Sequence, residues 1–307
     1  MVTEETIYSH INKYTKPSDQ KALEYLVPTL ILYVGGFYLP LWTFPLHALC
    51  FLRVFICMHD MGHGYFFKTK ELNTLFGYIC STLVFTPYTY WVEGHNFHHK
   101  HSNDLNYSQI SQSAPFTVND YIAWPTLYKK TYKILTYPPL FLSVLSPFYL
   151  ALYNPLIPSK LGEKLLLCSY IYFLWTTGNL PHFLCSGYIA ASLGAFLFHL
   201  QHTYEGAQRH KDMTHFDSAM KGASFLQVPW FFRWATAAIE YHHIHHLSVA
   251  VPLYNLKECH DNAPPEMFTT IKEITLVEGL YSLKYVLYDE EKDRLVTIAE
   301  VEGYKSS

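Results

Sequence analysis

Three short stretches of this chain gather imidazole side chains at spacings that suit metal binding. His59 and His63 are four residues apart in HDMGH; His95, His98 and His99 follow i, i+3, i+4 in HNFHH; and His242, His245 and His246 repeat that pattern in HHIHH. On an α-helix, positions three and four apart share a face, so each stretch aims its rings at one point. His243 falls about 100° round the helix from His242 and points away, and His101 is set aside on the same ground. A single histidine pair on an apolar helix is more often core packing than a ligand pair. Three groups in one chain, each beside an apolar run or in a polar connecting segment, reverse that balance.

Neutral imidazole suits zinc, copper, iron and nickel. The eight clustered histidines exceed the four ligands of a structural zinc site and the three of a typical catalytic one. They suit two metals with four or five nitrogens each. Zinc does no redox chemistry, whereas two irons can activate dioxygen, so the expected cofactor is a pair of iron ions. An all-imidazole shell leaves such a centre strongly cationic and calls for acceptors for the outward ring N–H groups. Asp60, Glu93, Asp104, Asp217 and Glu240 lie near the clusters and could accept; a solvated surface carboxylate is the other reading of each.

The elements that must carry these histidines are legible as apolar runs. Residues 22–40 and 41–58 nearly adjoin, as do 164–180 and 182–200, and each is close to the roughly 20 residues that span a hydrocarbon core about 30 Å thick. A cleavable leader is not expected at the start, because a second apolar run follows the first directly. Of the 22 lysines and arginines, Arg53 lies well inside a run and Lys164 at the edge of another, and none lies in the turns near Leu39–Trp42 or Gly178–Pro181. The positive-inside rule then puts the two turns on the far side and the remaining segments in the cytoplasm. Arg53, costly at mid-bilayer, is expected to reach the interface or a polar interior. A formal charge of -3 gives no reason to expect nucleic-acid binding, and the six cysteines contain no CxxC pair, so neither a disulfide framework nor a thiolate site is expected.

If all three groups serve one centre, the chain crosses the membrane an even number of times between them. Residues 71–90 and 138–157 are therefore read as interfacial or re-entrant rather than spanning, the second being broken by Pro138, Pro139, Pro147 and Pro155. The expected architecture is an all-α integral membrane protein. It is a single domain over 1–307, with four transmembrane helices in two hairpins. A cytoplasmic helical cap, 59–163 and 201–307, holds the di-iron site.

The same residues resemble a known family. HDMGH followed by GYFF, then HNFHHKHSNDLN, then EYHHIHHLSVAVPLY look like the three histidine boxes of membrane fatty acid desaturases, closest to the acyl-lipid branch with the Δ12 and ω3 enzymes. FHLQHTYEGAQRH, HFDSAMKGASF and KYVLYDEEKDRLVTI extend the likeness over roughly residues 50 to 295. The resemblance implies two non-haem irons, dioxygen as co-substrate, and two electrons from a reduced carrier, with a cis double bond as the product. It implies the eight box histidines as ligands and a ninth after the fourth span. His202, in LQHT, is the best match, with His199 one turn earlier as second choice. His10, His47, His182, His210, His215 and His260 match no box. No HPGG-type haem segment occurs, so the donor is expected to be a separate protein, ferredoxin or cytochrome b5. The acyl carrier is open between a glycerolipid and CoA, although the branch favours a lipid. A related histidine-box hydroxylase or ketolase is the nearest rival, and a membrane metal transporter a more distant one.

Such a target explains the need for metal. An unactivated C–H bond is neither acidic nor electrophilic, so general acid–base groups or a nucleophile cannot break it; the protein's part is to position the chain and exclude water.

Overall fold

The computed structural model describes residues 2–107, 115–145, 148 and 159–303. The chain is mostly helical. The helices used below are α1 (Glu4–Ile11), α2 (Asp19–Gly36), α3 (Phe44–His63), α4 (Lys70–Leu83), α5 (Tyr88–His101), α6 (Val118–Ala123), α7 (Thr126–Leu135), α8 (Leu161–Thr176), α9 (Leu180–His202), α10 (His215–Gly222), α11 (His242–Leu247), α12 (Leu253–Asp261) and α13 (Leu276–Ser282). Five short strands join them: β1 (Phe116–Thr117), β2 (Phe225–Gln227), β3 (Glu273–Thr275), β4 (Leu287–Asp289) and β5 (Arg294–Val296). β2 and β3 pair in parallel, Gln227 opposite Thr275, and β4 pairs with β1 in parallel and with β5 antiparallel.

Among the described residues, two stretches are long and apolar enough to cross a membrane, Leu41–His63 and Leu180–His202. They pack against each other as the centre of the fold, with α2 and α4 also on α3. Phe51, Leu52, Phe183 and Ala190 are buried there. The other two expected spans are helices as well. However, α2 carries Asp19, Lys21 and Glu24 in its first two turns, and α8 has only 16 residues.

The end of the second span differs from its expected limit. The expected span 41–58 stops short of the first histidine, yet α3 runs on unbroken through His63 and stops at Gly64, whose φ of 84° is left-handed. The first histidine group is therefore the last turn of a candidate span. The stretch 71–90 divides into α4, 14 residues or about 21 Å at 1.5 Å per residue, and the start of α5. Phe85, at φ 54°, and Pro87 turn the chain between them. Of 138–157, residues 138–145 form a short helical turn running into a π-helix. Apart from Phe148, the rest of that stretch, with Pro147 and Pro155, lies outside the described residues.

Arg53 finds a polar interior. Its Nε donates to Thr29 Oγ1 of α2 at 2.8 Å, and Nη1 donates to the Trp234 carbonyl. The guanidinium also stacks 4.3 Å over the Tyr25 ring. A cation in an apolar helix is thus fully engaged, and it clamps the segment before the third histidine group against α2 and α3.

Candidate metal centre

Four helix ends deliver the site. The last turn of α3 carries His59 and His63; α5 carries His95, His98 and His99; the last turn of α9 ends on His202; and the six-residue α11 carries His242, His245 and His246. Pro87 at the start of α5 supplies no side-chain cap. Glu163 of α8 takes that place, accepting from the Thr89 amide at 2.9 Å and from its hydroxyl. A carboxylate at a helix N-terminus satisfies an otherwise orphan N–H and complements the helix dipole. α11 is reached through two consecutive left-handed alanines, Ala237 and Ala238 at φ 49° and 68°. For non-glycine residues this conformation costs about 1–2 kcal/mol each.

Nine histidines converge into two groups whose ligand atoms all lie within 4.8 Å of one another: His59, His63, His95, His99 and His245, and His98, His202, His242 and His246. The closest approaches are between ring Nε2 atoms. His98 and His242 stand 3.1 and 2.9 Å from His202, and His95 and His245 stand 3.0 and 3.2 Å from His99.

These contacts do not work as hydrogen bonds among imidazoles. His202 Nδ1–H donates to the Gly222 carbonyl at 3.1 Å, which leaves Nε2 with one lone pair and two neighbours competing for it. His99 Nε2 is shared in the same way. A further six ring nitrogens, His59, His99, His242 and His245 Nδ1 with His63 and His246 Nε2, are buried without a partner. Each would normally cost about 1–3 kcal/mol. A metal in each group resolves the competition at the converging nitrogens, and would take up the Nε2 atoms of His63 and His246 as well; the Nδ1 atoms of His99, His242 and His245 point away from it. Imidazole nitrogens about 2.1 Å from one ion lie about 3.0 Å apart at right angles and about 3.4 Å at the tetrahedral angle. The observed 2.9–3.2 Å separations are those of imidazole nitrogens arrayed round a shared ion. The residues present therefore fit a metal centre with two positions.

Burial keeps the ligands in the form that binds metal. His95, His99, His242, His245 and His246 are held well below the ordinary imidazole range, first by desolvation and then by neighbouring imidazoles. His98 is pushed down to about 3 by desolvation, then by the Arg209 charge. All therefore offer lone pairs at neutral pH. Arg209 is itself fully buried, and its Nη2 donates to the His202 carbonyl at 2.6 Å, holding the last residue of α9 in place.

The other sequence expectations divide. His199 joins neither group; its Nε2 lies 3.2 Å from the Ser282 carbonyl. His243 is buried against His260 and Phe268, and His101 stacks on Tyr107, both away from the groups. The carboxylates turn elsewhere. Asp60 accepts from the Leu253 amide, Glu240 from Thr236, Asp104 from the amides of Asn106 and Asp212, Asp217 from Thr214 and Lys221, and Glu93 is exposed. The acceptor found for His202 is a main-chain carbonyl, and no side-chain pattern announces one. Gly222 is needed there, because a Cβ would stand 2.2 Å from Asn103 Nδ2, which donates to the same carbonyl.

One side of the site opens to solvent. A cavity of about 450 Å³ reaches His63 and His99 past Asn96, Lys100, His215 and Ser248.

A helical chain with two helices of membrane-spanning length among the described residues, and nine gathered histidines of which eight are buried, fits the class of membrane proteins with a polyhistidine metal centre. Comparison with known proteins narrows this class. Residues 36–270 match the model of the family described as fatty acid desaturase, and the chain belongs to that family. It is 29% identical to a fatty acid desaturase of Bacillus subtilis, over 98% of this chain and 94% of the relative. It is 24% identical to the sn-1 oleoyl-lipid 12-desaturase of Synechocystis, over 74% and 70% of the two chains. A ferredoxin-dependent sn-1 acyl-lipid omega-3 desaturase of Nostoc is 31% identical over 43% of this chain and 39% of its own. The chain is accordingly an oxidoreductase of the desaturase family.

Proposed function

We propose that this protein is a dioxygen-dependent fatty acyl desaturase that introduces a cis double bond into an acyl chain carried on a membrane lipid. The observation that carries the reading is the five-plus-four gathering of histidines with Nε2 separations of 2.9–3.2 Å. His59, His63, His95, His99 and His245 would hold one iron, and His98, His202, His242 and His246 the other. Such a pair supplies the oxidising power to remove hydrogen from an unactivated C–H bond. The balance is one saturated –CH2–CH2– unit, one dioxygen, two electrons and two protons, giving –CH=CH– and two waters.

This chain's own residues do the positioning. Gly222 fixes the His202 tautomer, Arg209 anchors the end of α9, and Glu163 caps the helix that brings His95, His98 and His99. The lipid-linked substrate is supported by the names of the relatives, one acting on an oleoyl lipid and others on acyl lipids. Several relatives are named for their use of ferredoxin, which supports a separate electron carrier for this chain too, read as ferredoxin with cytochrome b5 as the alternative. We read α2, α3, α8 and α9 with their flanking residues as four spans. The histidines then face the cytoplasm, and 1–307 forms one domain.

The test is the fatty-acid profile of an expressing host by gas chromatography–mass spectrometry, with a His245→Ala control and iron measured on the purified protein. A new unsaturated acid that vanishes in the control supports the reading. Iron without a new double bond would favour hydroxylation, and tight zinc with no lipid change would sink the oxygenase reading.

A further inference from the structure

The segment between β2 and α11, together with α13, leaves large apolar side chains facing outward. Trp230 is 81% exposed and Phe231 66%, and on α13 Val277, Leu280 and Tyr281 are 63%, 59% and 67% exposed. Residues 277, 280 and 281 share one helix face. The opposite face is inward: Gly279 sits so close to Leu200 of α9 that a Cβ would stand 2.6 Å from it, and Ser282 is buried. α13 is thus amphipathic with its apolar side outward, the reverse of a helix covering an aqueous surface.

The two exposed sets belong to one surface. β2 and β3 run parallel in register, so Val228 onward and Leu276 onward leave the ribbon at the same end. That end is fixed to both membrane-length helices. Arg53 of α3 holds the Trp234 carbonyl, and Gly279 packs on Leu200 of α9. Arg53 lies ten residues before His63, about 15 Å along α3 at 1.5 Å per residue. The Trp234 carbonyl, four residues after Trp230, is therefore held against the middle of a helix of 20 residues. If α3 spans the bilayer, the segment carrying Trp230 and Phe231 is rooted within the membrane thickness.

We propose that Trp230, Phe231 and the outer face of α13 form a shelf inserted into the bilayer, covered by lipid acyl chains and head-group carbonyls. The inference rests on the membrane reading above and adds a second, non-spanning contact. Aromatic side chains suit the boundary between head groups and acyl chains, and an apolar face of this size enters it by roughly 5–10 Å. The shelf backs on to the four-histidine group. Trp234 leads through Ala237 and Ala238 to His242, and the Ser282 carbonyl at the end of α13 meets His199, one turn before His202.

The test uses the full-length protein in nanodiscs made with phosphatidylcholine brominated near the head-group end of its chains. The Trp230 signal is taken as the difference between wild type and Trp230→Phe, and Tyr281→Trp in the Trp230→Phe background reports from α13. Bromolipid should quench the larger part of both signals while aqueous acrylamide leaves them little changed. Quenching by acrylamide and not by bromolipid would put the shelf in water and overturn the proposal. Quenching by neither would mean that a protein surface, such as a second copy of this chain, covers it, which overturns the proposal equally. The readout is emission rather than turnover. Active protein with a water-exposed Trp230 sinks the shelf alone, and inactive protein with a lipid-covered Trp230 sinks the desaturase reading alone.

Discussion

The two histidine groups sit side by side but look out on different surroundings. The five-membered group, through His63 and His99, borders a solvent-open cavity lined by Lys100, His215 and Ser248 together with Tyr65, Val249 and Ala250. The four-membered group is enclosed: His98, His202, His242 and His246 are all buried, and beyond them lie the β2–β3 ribbon, α13 and the exposed aromatics. Their support differs as well. Four of the five rings of the first group, His59, His63, His95 and His99, ride on the long helices α3 and α5. In the second group His202 is the last residue of its helix and depends on Gly222 and Arg209 to stay put. An open, redundantly supported half and a closed half with few supports suggest a division between exchange with water and contact with lipid.

The largest effect should come from ligand removal, and it should be unequal. Truncating one ring leaves four nitrogens in the first group but three in the second. His202→Ala and His242→Ala should abolish turnover and lose close to one metal per chain, whereas His59→Ala should lose turnover yet retain more metal. Metal content by inductively coupled plasma mass spectrometry, read beside product formation, checks this. Equal metal loss from both groups would remove the asymmetry.

Next comes the support of the closed half. Gly222→Ala forces Asn103 and the shared carbonyl apart from His202, because its Cβ would stand 2.2 Å from Asn103 Nδ2. Loss of the partner that orients a metal-binding histidine typically costs about 10–100-fold in metal affinity or activity, so a chelator-competition titration should show a drop of that order. Ser248→Ala, at the mouth of the open half, should change affinity little. The same shift in both would mean that the Gly222 contact is not specific.

What could be read from sequence follows from what side-chain spacing encodes. Helical periodicity picked out eight rings, because i, i+3 and i+4 positions must share a face whether or not the fold is known. His202 needed the LQHT likeness, since it stands alone on its helix end. The supports of His202 were invisible. Gly222 acts through its carbonyl, which every residue possesses, and Arg209 approaches from seven residues along the chain by a turn no pattern marks. The carboxylates named as acceptors were close in sequence and bonded elsewhere in space. The aromatic shelf was equally hidden. PWFFRW reads as an ordinary apolar loop until parallel strand pairing brings its exit beside that of α13, and until Arg53, expected to seek the interface or a polar interior, is found gripping Trp234.

A moderate effect is expected on the lipid side. Trp230→Asp with Phe231→Asp puts charge where the shelf meets lipid without touching a histidine. Metal content should hold, while desaturation of acyl chains in a bilayer falls several-fold, in line with the roughly 2.5–3.5 kcal/mol that an aspartate costs deep in a membrane, less near its surface. Unchanged turnover with unchanged metal would disconnect the shelf from substrate supply.

The smallest effect should appear at the aqueous mouth. Lys100 is exposed beside His99 and is the one lysine or arginine among the residues that line the opening. Reduction of the metal centre by dithionite, an anion, should be favoured by that charge and slow modestly in Lys100→Glu. Because the effect acts through solvent, it is screened over about 8–10 Å at ordinary ionic strength, so the difference between the two proteins should shrink as salt is raised. Stopped-flow reduction at low and high salt measures both. A Lys100→Glu defect that salt does not relieve would indicate damage to His99 itself, and no defect at low salt would mean that reductant reaches the metals by another face, removing the open half from its role in exchange with water.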